Sequence, residues 1–193
     1  MLSYKKSLKI LKKTNALLEG HFILSSGRRS AKYIQCAQLL SKPHIASSLC
    51  KSLAQKIKKS KKKIDLILSP AMGGLIIGYE IGRILKKETI FSERVNGKFV
   101  LRRNFSIKKN LNVLLVEDVI TTGKSILECA KLVARSKAKI SGYACIIDRS
   151  NGKSNIKKKI ISQVKINFPL FNNKKLPNSL KKIKAIKPGS RGL

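Results

Sequence analysis

Short apolar segments alternate with amphipathic segments between residues 64 and 150, and this alternation is the strongest constraint on the fold. The apolar segments predict buried strands at 64–70, 89–93, 112–120 and 140–150. The amphipathic segments have helical spacing and lie at 73–87 and 121–138. Strands that alternate with helices favour a doubly wound parallel α/β sheet, in which ligands bind at the carboxyl ends of the strands.

The segments outside this region are less regular. Helical spacing occurs at 3–18 and 45–57, and the alternation at 96–103 predicts an edge hairpin. Gly20 and residues 25–27 predict turns. The segment 151–193 is rich in lysine and asparagine, and its apolar residues suit a small cap on the sheet.

The charge of the chain is strongly positive. It has 43 lysines and arginines against nine acids, a net charge of +34. Such a field attracts polyanions, which would suit a nucleic-acid-binding protein. However, 34 of the basic residues are lysine, and the abundance of Lys, Ile and Asn matches the codon bias of an AT-rich genome. We favour this compositional explanation, and we expect weak non-specific polyanion binding but no specific nucleic-acid partner.

The four cysteines do not suggest a metal or disulfide framework. They lie at positions 36, 50, 129 and 145, no two of them form a CxxC pair, and the chain has only two histidines. We expect buried or unreactive thiols. The sequence has no apolar run of about 18 residues, and its first 15 residues lack the apolar centre of a secretory signal. These features predict a cytoplasmic protein without a membrane partner.

The chemistry is concentrated at the end of the 112–120 strand. Two of the nine acids are adjacent there, at Glu117 and Asp118, and the small polar loop Thr121–Ser125 follows. The backbone N–H groups of such a loop surround a phosphate, and a helix N-terminus favours the anion. Gly123 allows a close approach of the backbone. Carboxylates beside a phosphate loop need hydroxyls or a cation to bind, and a phosphorylated sugar with Mg²⁺ supplies both.

Two other interpretations of this segment are weaker. Gly123-Lys124-Ser125 also ends the P-loop pattern, but that pattern requires glycine at position 118, which is aspartate. A merely structural role would make Asp118 and Thr122 helix caps. Caps explain one such residue but not two acids on a buried strand followed by a five-residue polar loop.

This segment resembles the phosphoribosyl-pyrophosphate (PRPP) motif of type I phosphoribosyltransferases. Four apolar residues, two acids and two further apolar residues precede Thr-Thr-Gly-Lys-Ser. The block at 19–37 (EGHFILSSGRRSAKYIQCA) resembles the N-terminal signature of the orotate phosphoribosyltransferase family. The SPAMGG segment at 69–74, the loop at 93–103 and Asp148-Arg149-Ser150 are similar to further parts of that family.

The resemblance implies a fold, a reaction and a set of site residues. It implies one phosphoribosyltransferase domain over 1–193, with a core at about 60–150 and a hood from about 1–40 and 151–185. It also implies transfer of ribosyl phosphate from PRPP to orotate, giving orotidine 5′-monophosphate and pyrophosphate in pyrimidine synthesis. The implied PRPP-binding residues are Glu117, Asp118, Val119, Ile120, Thr121, Thr122, Gly123, Lys124 and Ser125. Thr121 and Arg149 would contact orotate.

The parts of the site that would hold pyrophosphate depart from the common family pattern. Met72-Gly73 stands where the family often has Tyr-Lys, and Ser25 stands where lysine is frequent. The mobile loop is short and lacks histidine, which leaves Arg94 and Lys98, with Arg102 and Arg103, as its cations. The resemblance further implies Mg²⁺ held mainly through PRPP, without a dedicated protein cage, and a homodimer. The alternative function is a phosphoribosyltransferase-fold regulator that senses PRPP and binds nucleic acid.

Overall fold

The computed structural model describes residues 1–24 and 26–188. Its helices are α1 (Tyr4–Lys13), α2 (Cys36–Leu40), α3 (Pro43–Lys59), α4 (Gly73–Leu85), α5 (Lys124–Arg135) and α6 (Asn178–Lys181), with a 3₁₀ turn at Asn173–Lys175. Its strands are β1 (Leu17–Ile23), β2 (Arg29–Ile34), β3 (Leu66–Pro70), β4 (Glu88–Val95), β5 (Lys98–Leu101), β6 (Asn112–Ile120), β7 (Lys139–Asp148), β8 (Ile160–Lys165) and β9 (Leu170–Phe171).

Six strands form the main sheet in the order β5-β4-β3-β6-β7-β8. All neighbouring pairs are parallel except the β4–β5 hairpin. Helices α3 and α4 cover one face of this sheet, and α5 covers the other. The predicted doubly wound parallel sheet is therefore confirmed, and the carboxyl ends of β3, β4, β6 and β7 meet at one edge.

Strand β6 lies in the middle of this sheet because its side chains are apolar on both faces. Leu114 and Val116 pack towards α3 and α4, whereas Val113 and Leu115 pack towards α5. All four are fully buried. Each large side chain contributes about 1.5–3 kcal/mol of burial free energy, which fixes the position of the polar residues that follow.

A second, three-stranded antiparallel sheet has the order β1-β2-β9. The C-terminal segment adds a bridge between Phe22 and Ile186, and the backbone O of Ile183 lies 3.0 Å from Nδ1 of His21. This small sheet combines N- and C-terminal segments. However, β8 pairs with β7 in the main sheet, so this part of the 151–185 segment belongs to the core and not to the hood.

The prediction of one or two helices over 3–18 was wrong at its end. Helix α1 stops at Lys13, and Asn15 adopts a left-handed backbone (φ 58°) that turns the chain into β1. Gly20 was expected in a turn, but it lies within β1 beside an irregularity in the pairing with β2. Gly27 is in a turn with φ 76°, as predicted, whereas Ser25 lies outside the described residues.

The cysteines are buried free thiols, as predicted. Burial raises the pKa of Cys50 and of Cys129 to about 12, so neither is a thiolate at neutral pH. Within residues 1–24 and 26–188, no helix has both the length and the apolar character that a membrane crossing requires.

Candidate active site

The two adjacent acids stand at the carboxyl end of β6, against the start of α4. Glu117 is only 8 % exposed, and Asp118 is half-buried. Gly73 and Gly74 open α4 directly beside them. A Cβ atom at Gly73 would collide with the carboxylate of Asp118, and one at Gly74 would lie 2.9 Å from Oε1 of Glu117. Both glycines therefore let the N-terminal turn of α4 approach the acids, where its partial positive charge favours an anion.

Burial and mutual repulsion control the ionisation of this pair. Desolvation first, and then the charge of Asp118, raise the pKa of Glu117 to about 9. The backbone N–H of Asp118 donates to Oε1 of Glu117 (3.1 Å), and that of Val119 donates to Oδ1 of Asp118 (2.8 Å). Desolvation and repulsion together favour the protonated form of Glu117 at neutral pH. A ligand that supplies hydroxyl donors or a cation would favour its loss.

This proton makes stability depend on pH. Native Glu117 keeps its proton between about pH 4.5 and 9, whereas the unfolded chain releases it, so the free energy of unfolding falls as pH rises through this window. We expect Glu117→Gln to remove this fall. Each pH unit of the window corresponds to about 1.4 kcal/mol, which urea unfolding of both proteins at pH 5, 7 and 9 would detect.

Glu80→Gln is the matched control for this experiment. The guanidinium of Arg83 lowers the pKa of Glu80, so Glu80 is ionised in both native and unfolded states across the same window. This variant should therefore follow the wild type from pH 5 to 9. Parallel curves for the wild type and Glu117→Gln would contradict a protonated Glu117.

The polar loop encloses a small cavity between β6 and α5. The cavity has a volume of about 60 Å³ and is lined by Glu117, Val119–Ile126 and the backbone between them. Gly123 has φ 81°, and a Cβ atom there would lie 2.9 Å from Cγ1 of Ile156. The N–H of Lys124 reaches Oγ1 of Thr122 (3.3 Å), and α5 begins at Lys124. Exposed N–H groups and hydroxyls at a helix N-terminus are suited to a phosphate.

Arg149 lies next to this loop because β6 and β7 end together. Ile120 pairs with Asp148, and the backbone N–H of Arg149 donates to the O of Ile120 (2.8 Å). The Arg149 side chain is half-buried, and this burial lowers its pKa. Its guanidinium carbon stands 5.2 Å from the centre of the Phe168 ring. Within the described part of the chain, no acid forms an ion pair with Arg149.

Two aromatic residues complete this corner. Phe168, which follows β8, is buried beneath the guanidinium of Arg149, and Tyr33 of β2 lies nearby. Tyr33 also packs against Phe22, with ring centres 5.6 Å apart. Phe168 had no predicted site role, since nothing in its local pattern distinguishes it from a core residue.

Comparison with known proteins identifies the family. The Phosphoribosyl transferase domain family matches residues 35–177. Orotate phosphoribosyltransferase from Parvibaculum lavamentivorans is 45% identical over 191 residues, 98% of each chain. The enzyme of that name from Erythrobacter litoralis is 47% identical over 179 residues, 92% of this chain and 93% of the other. The chain belongs to the orotate phosphoribosyltransferase family.

Solved structures agree with this assignment. The crystal structure of orotate phosphoribosyltransferase from Aeropyrum pernix matches with a TM-score of 0.71 and 25% identity, covering 82% of this chain and 92% of that one. Adenine phosphoribosyltransferase from Thermoanaerobacter pseudethanolicus shares the fold at a TM-score of 0.61 and 18% identity, covering 70% and 88% of the two chains. The type I phosphoribosyltransferase fold is thus shown.

The segment at 69–74, which is predicted to form the pyrophosphate loop, leads from β3 into α4. Met72 is 82 % exposed, and Gly73 is the first residue of α4. The Ala71–Met72 peptide bond is cis, and the N–H of Ala71 donates to the O of Ser92 (2.8 Å). The hydroxyl of Ser69 is buried and has no hydrogen-bond partner among residues 1–24 and 26–188. The segment therefore lies at the same sheet edge as the two acids.

The predicted mobile loop is the β4–β5 hairpin, and its cations differ in their availability. Arg94 pairs with Glu128 (3.0 Å), donates to the O of Gly97 and stacks over Phe99 at 4.1 Å. Arg103 pairs with Glu93 (3.0 Å). Lys98 and Arg102 are exposed, and the described residues offer neither of them an ion pair. In this conformation, Lys98 and Arg102 are the better candidates for an incoming anion.

Proposed function

We propose that this chain is an orotate phosphoribosyltransferase that transfers ribosyl phosphate from PRPP to orotate, in pyrimidine synthesis. One observation carries the proposal. A carboxylate pair, in which Glu117 is buried and Asp118 half-buried, and a small polar loop stand at the end of β6, beside a half-buried Arg149 that forms no ion pair with a described acid. This edge therefore offers complementary groups to the hydroxyls, the phosphate and the carboxylate of the two substrates.

The carboxylates and the loop would bind PRPP. Glu117 and Asp118 accept hydrogen bonds from the ribose hydroxyls, and the loop Thr121–Ser125 holds the 5-phosphate at the N-terminus of α5. Val119 and Ile120 connect the two parts. Because Ile120 is buried and paired with Asp148, the distance between the ribose and phosphate sites is set by the rigid end of the sheet.

Arg149 would bind orotate. Its planar guanidinium matches the substrate carboxylate in a two-point contact. Phe168 supports the guanidinium from below, and Thr121 follows directly after Ile120, whose carbonyl accepts from the N–H of Arg149. The base would thus be held next to the ribose.

The reaction needs charge stabilisation and not a protein nucleophile. Breaking the bond between C1 and the pyrophosphate oxygen leaves positive charge on the ribose and negative charge on the leaving group. The carboxylates of Glu117 and Asp118 stabilise the first. Lys98 and Arg102, with the backbone of Met72 and Gly73, would stabilise the second.

The same proposal includes Mg²⁺. Two adjacent carboxylates supply part of the ligand set of Mg²⁺, which prefers oxygen ligands. The ion is commonly bound by one or two carboxylates together with substrate phosphates. Within the part of the chain that the structure describes, no three acidic, histidine or cysteine groups form a metal cluster. Asp118 and Glu117 would hold the ion only together with PRPP. When bound, it would neutralise charge on the pyrophosphate.

We also propose a homodimer. Met72, Ile76 and Tyr79 are large, exposed and repeated along one side of α4, and such an apolar face is typical of an interface. A second copy of the chain on this face would bring its own β4–β5 hairpin near the active site of the first copy. Sedimentation velocity at micromolar concentration should give about 43 kDa, twice the chain mass of 21.5 kDa. A stable species at the single-chain mass would contradict this part of the proposal.

A cytoplasmic location is part of the proposal, because four free thiols are usual in a reducing compartment.

The regulator alternative has less support, since the relatives that match over almost the full chain are named as the enzyme. The test is a spectrophotometric assay of orotate consumption with PRPP and Mg²⁺. The enzyme consumes orotate only when PRPP is present, whereas a PRPP sensor leaves it unchanged.

A further inference from the structure

A lysine-rich groove runs along β8, the strand at one edge of the main sheet. One cavity of about 400 Å³ lies between α3 and β8, and a second of about 410 Å³ lies between β8 and the loop that follows β7. Both are lined by Lys159, Ile160 and Lys165, so they adjoin at this strand. We name this surface the β8 groove. Its cations are Lys56, Lys59, Lys62, Lys158, Lys159 and Lys165.

Three of these ammonium groups are held in place without a carboxylate. Lys56 donates to the O atoms of Ser162 (2.9 Å) and Gln163 (2.8 Å). Lys62 donates to the O of Ser141 (2.9 Å), and Lys158 to the O of Ile140 (3.1 Å). Backbone carbonyls fix the position of these groups but leave their charge unneutralised. Burial lowers the pKa of Lys56, so an anion nearby would stabilise its charged form.

The acids of the chain lie elsewhere. Glu19, Glu80, Glu93 and Glu128 form ion pairs outside the groove, and the sequence contains no acid after Asp148. Asp148 is the single acid that lines either cavity, and its buried carboxylate already accepts from the N–H of Ser150 (2.9 Å). Biased composition explains why lysines are abundant, but the fold concentrates six of them here beside a single carboxylate.

The length and lining of the groove favour a polymer of phosphates. Strand β8 has six residues and spans about 20 Å. A single strand of nucleic acid that follows this length would place several phosphate charges along it. No aromatic residue lines either cavity, so bases have no stacking platform and contacts fall on the backbone. We propose that the β8 groove binds the sugar-phosphate backbone of single-stranded nucleic acid, without sequence preference.

The test compares two variants of equal charge. Lys59→Gln, Lys159→Gln and Lys165→Gln together remove three exposed groove cations. The control removes Lys87, before β4, Lys108, after β5, and Lys131, on α5, by the same substitution. None of the six has a role in the proposed catalytic site, so orotate turnover by both variants should equal that of the wild type and report intact folding.

Binding is measured by fluorescence anisotropy with a labelled 20-nucleotide single-stranded RNA of random sequence. At about 100 mM salt, the groove variant should bind at least tenfold more weakly than the wild type, and its slope of log K against log salt should fall by about 2, at roughly 0.7 per contact. The control should lose less than threefold. Equal losses in both variants would overturn the proposal in favour of general charge attraction.

Two competitors separate the groove from other anion sites. Saturating PRPP at constant ionic strength should leave RNA bound to the wild type, and displacement would place the RNA in the substrate site instead. Polyglutamate of matched charge should compete less well than unlabelled RNA. Stronger competition by polyglutamate would assign the groove to an acidic protein surface and overturn the nucleic-acid proposal.

Discussion

Replacing both acids at the end of β6 with amides, Glu117→Gln with Asp118→Asn, should lower turnover by about 10²-fold or more while the protein stays folded. The amides keep the volume of the side chains but remove the negative charge that opposes the positive ribose in the transition state. Because Glu117 is buried and its pKa is raised to about 9, the amide should also fold at least as well as the acid. Steady-state rates with saturating PRPP and orotate measure the loss.

The control for this variant is Glu93→Gln with Glu128→Gln. These acids also lie near the sheet edge, but they pair with Arg103 and Arg94 of the hairpin and not with a proposed substrate group. This double amide should retain far more activity than the first. Near-normal turnover in folded Glu117→Gln with Asp118→Asn would remove the two acids from the mechanism.

Arg149→Lys should raise the KM for orotate by about 10- to 100-fold and change the KM for PRPP much less. Lysine keeps the charge but loses the planar pair of donors and the stacking over Phe168. Hydrogen bonds between charged groups contribute about 1.5–3 kcal/mol, which corresponds to this range. Initial rates with each substrate varied at saturating levels of the other separate the two constants.

The same substitution at Arg83 is the matched control. Arg83 is exposed on α4 and paired with Glu80, so Arg83→Lys should leave both constants near their wild-type values. Equal increases in both KM values for Arg149→Lys would mean that Arg149 supports the structure or that the orotate pocket lies elsewhere.

The sequence was sufficient to locate the site because local pattern determines it. A fully apolar strand had to be buried, and the acids and small polar loop that follow it had to emerge at the carboxyl edge of the sheet. The scarcity of acids in the chain made Glu117 and Asp118 conspicuous. Because the apolar pattern of β6 is local, this strand was predicted with the bounds that the structure shows, 112–120.

Features that depend on distant segments were not predictable in this way. The approach of Gly73 and Gly74 to the acids, and the raised pKa of Glu117, arise only when α4 packs beside β6. The stacking of Arg149 on Phe168 joins the ends of two strands. These contacts give the site its electrostatics, yet no local spacing encodes them.

The hairpin and the N-terminal segment show the same limit. Arg94 was predicted to be an available cation of the mobile loop, but the structure shows it in an ion pair with Glu128. The apolar spacing of residues 3–18 suits a helix throughout, but pairing with β2 draws Leu17 and Leu18 into β1. Tertiary pairing overrides local preference there.

The most direct test of the account is pyrophosphate release with orotate against release with uracil, which lacks the carboxylate. The site has a half-buried guanidinium, which the carboxylate of an anionic base would satisfy. We predict a kcat/KM for uracil lower by about 10³-fold or more, because the unpaired group would stay desolvated. Comparable values for the two bases, or equal pyrophosphate release without any base, would contradict the assignment of Arg149 and of the reaction itself.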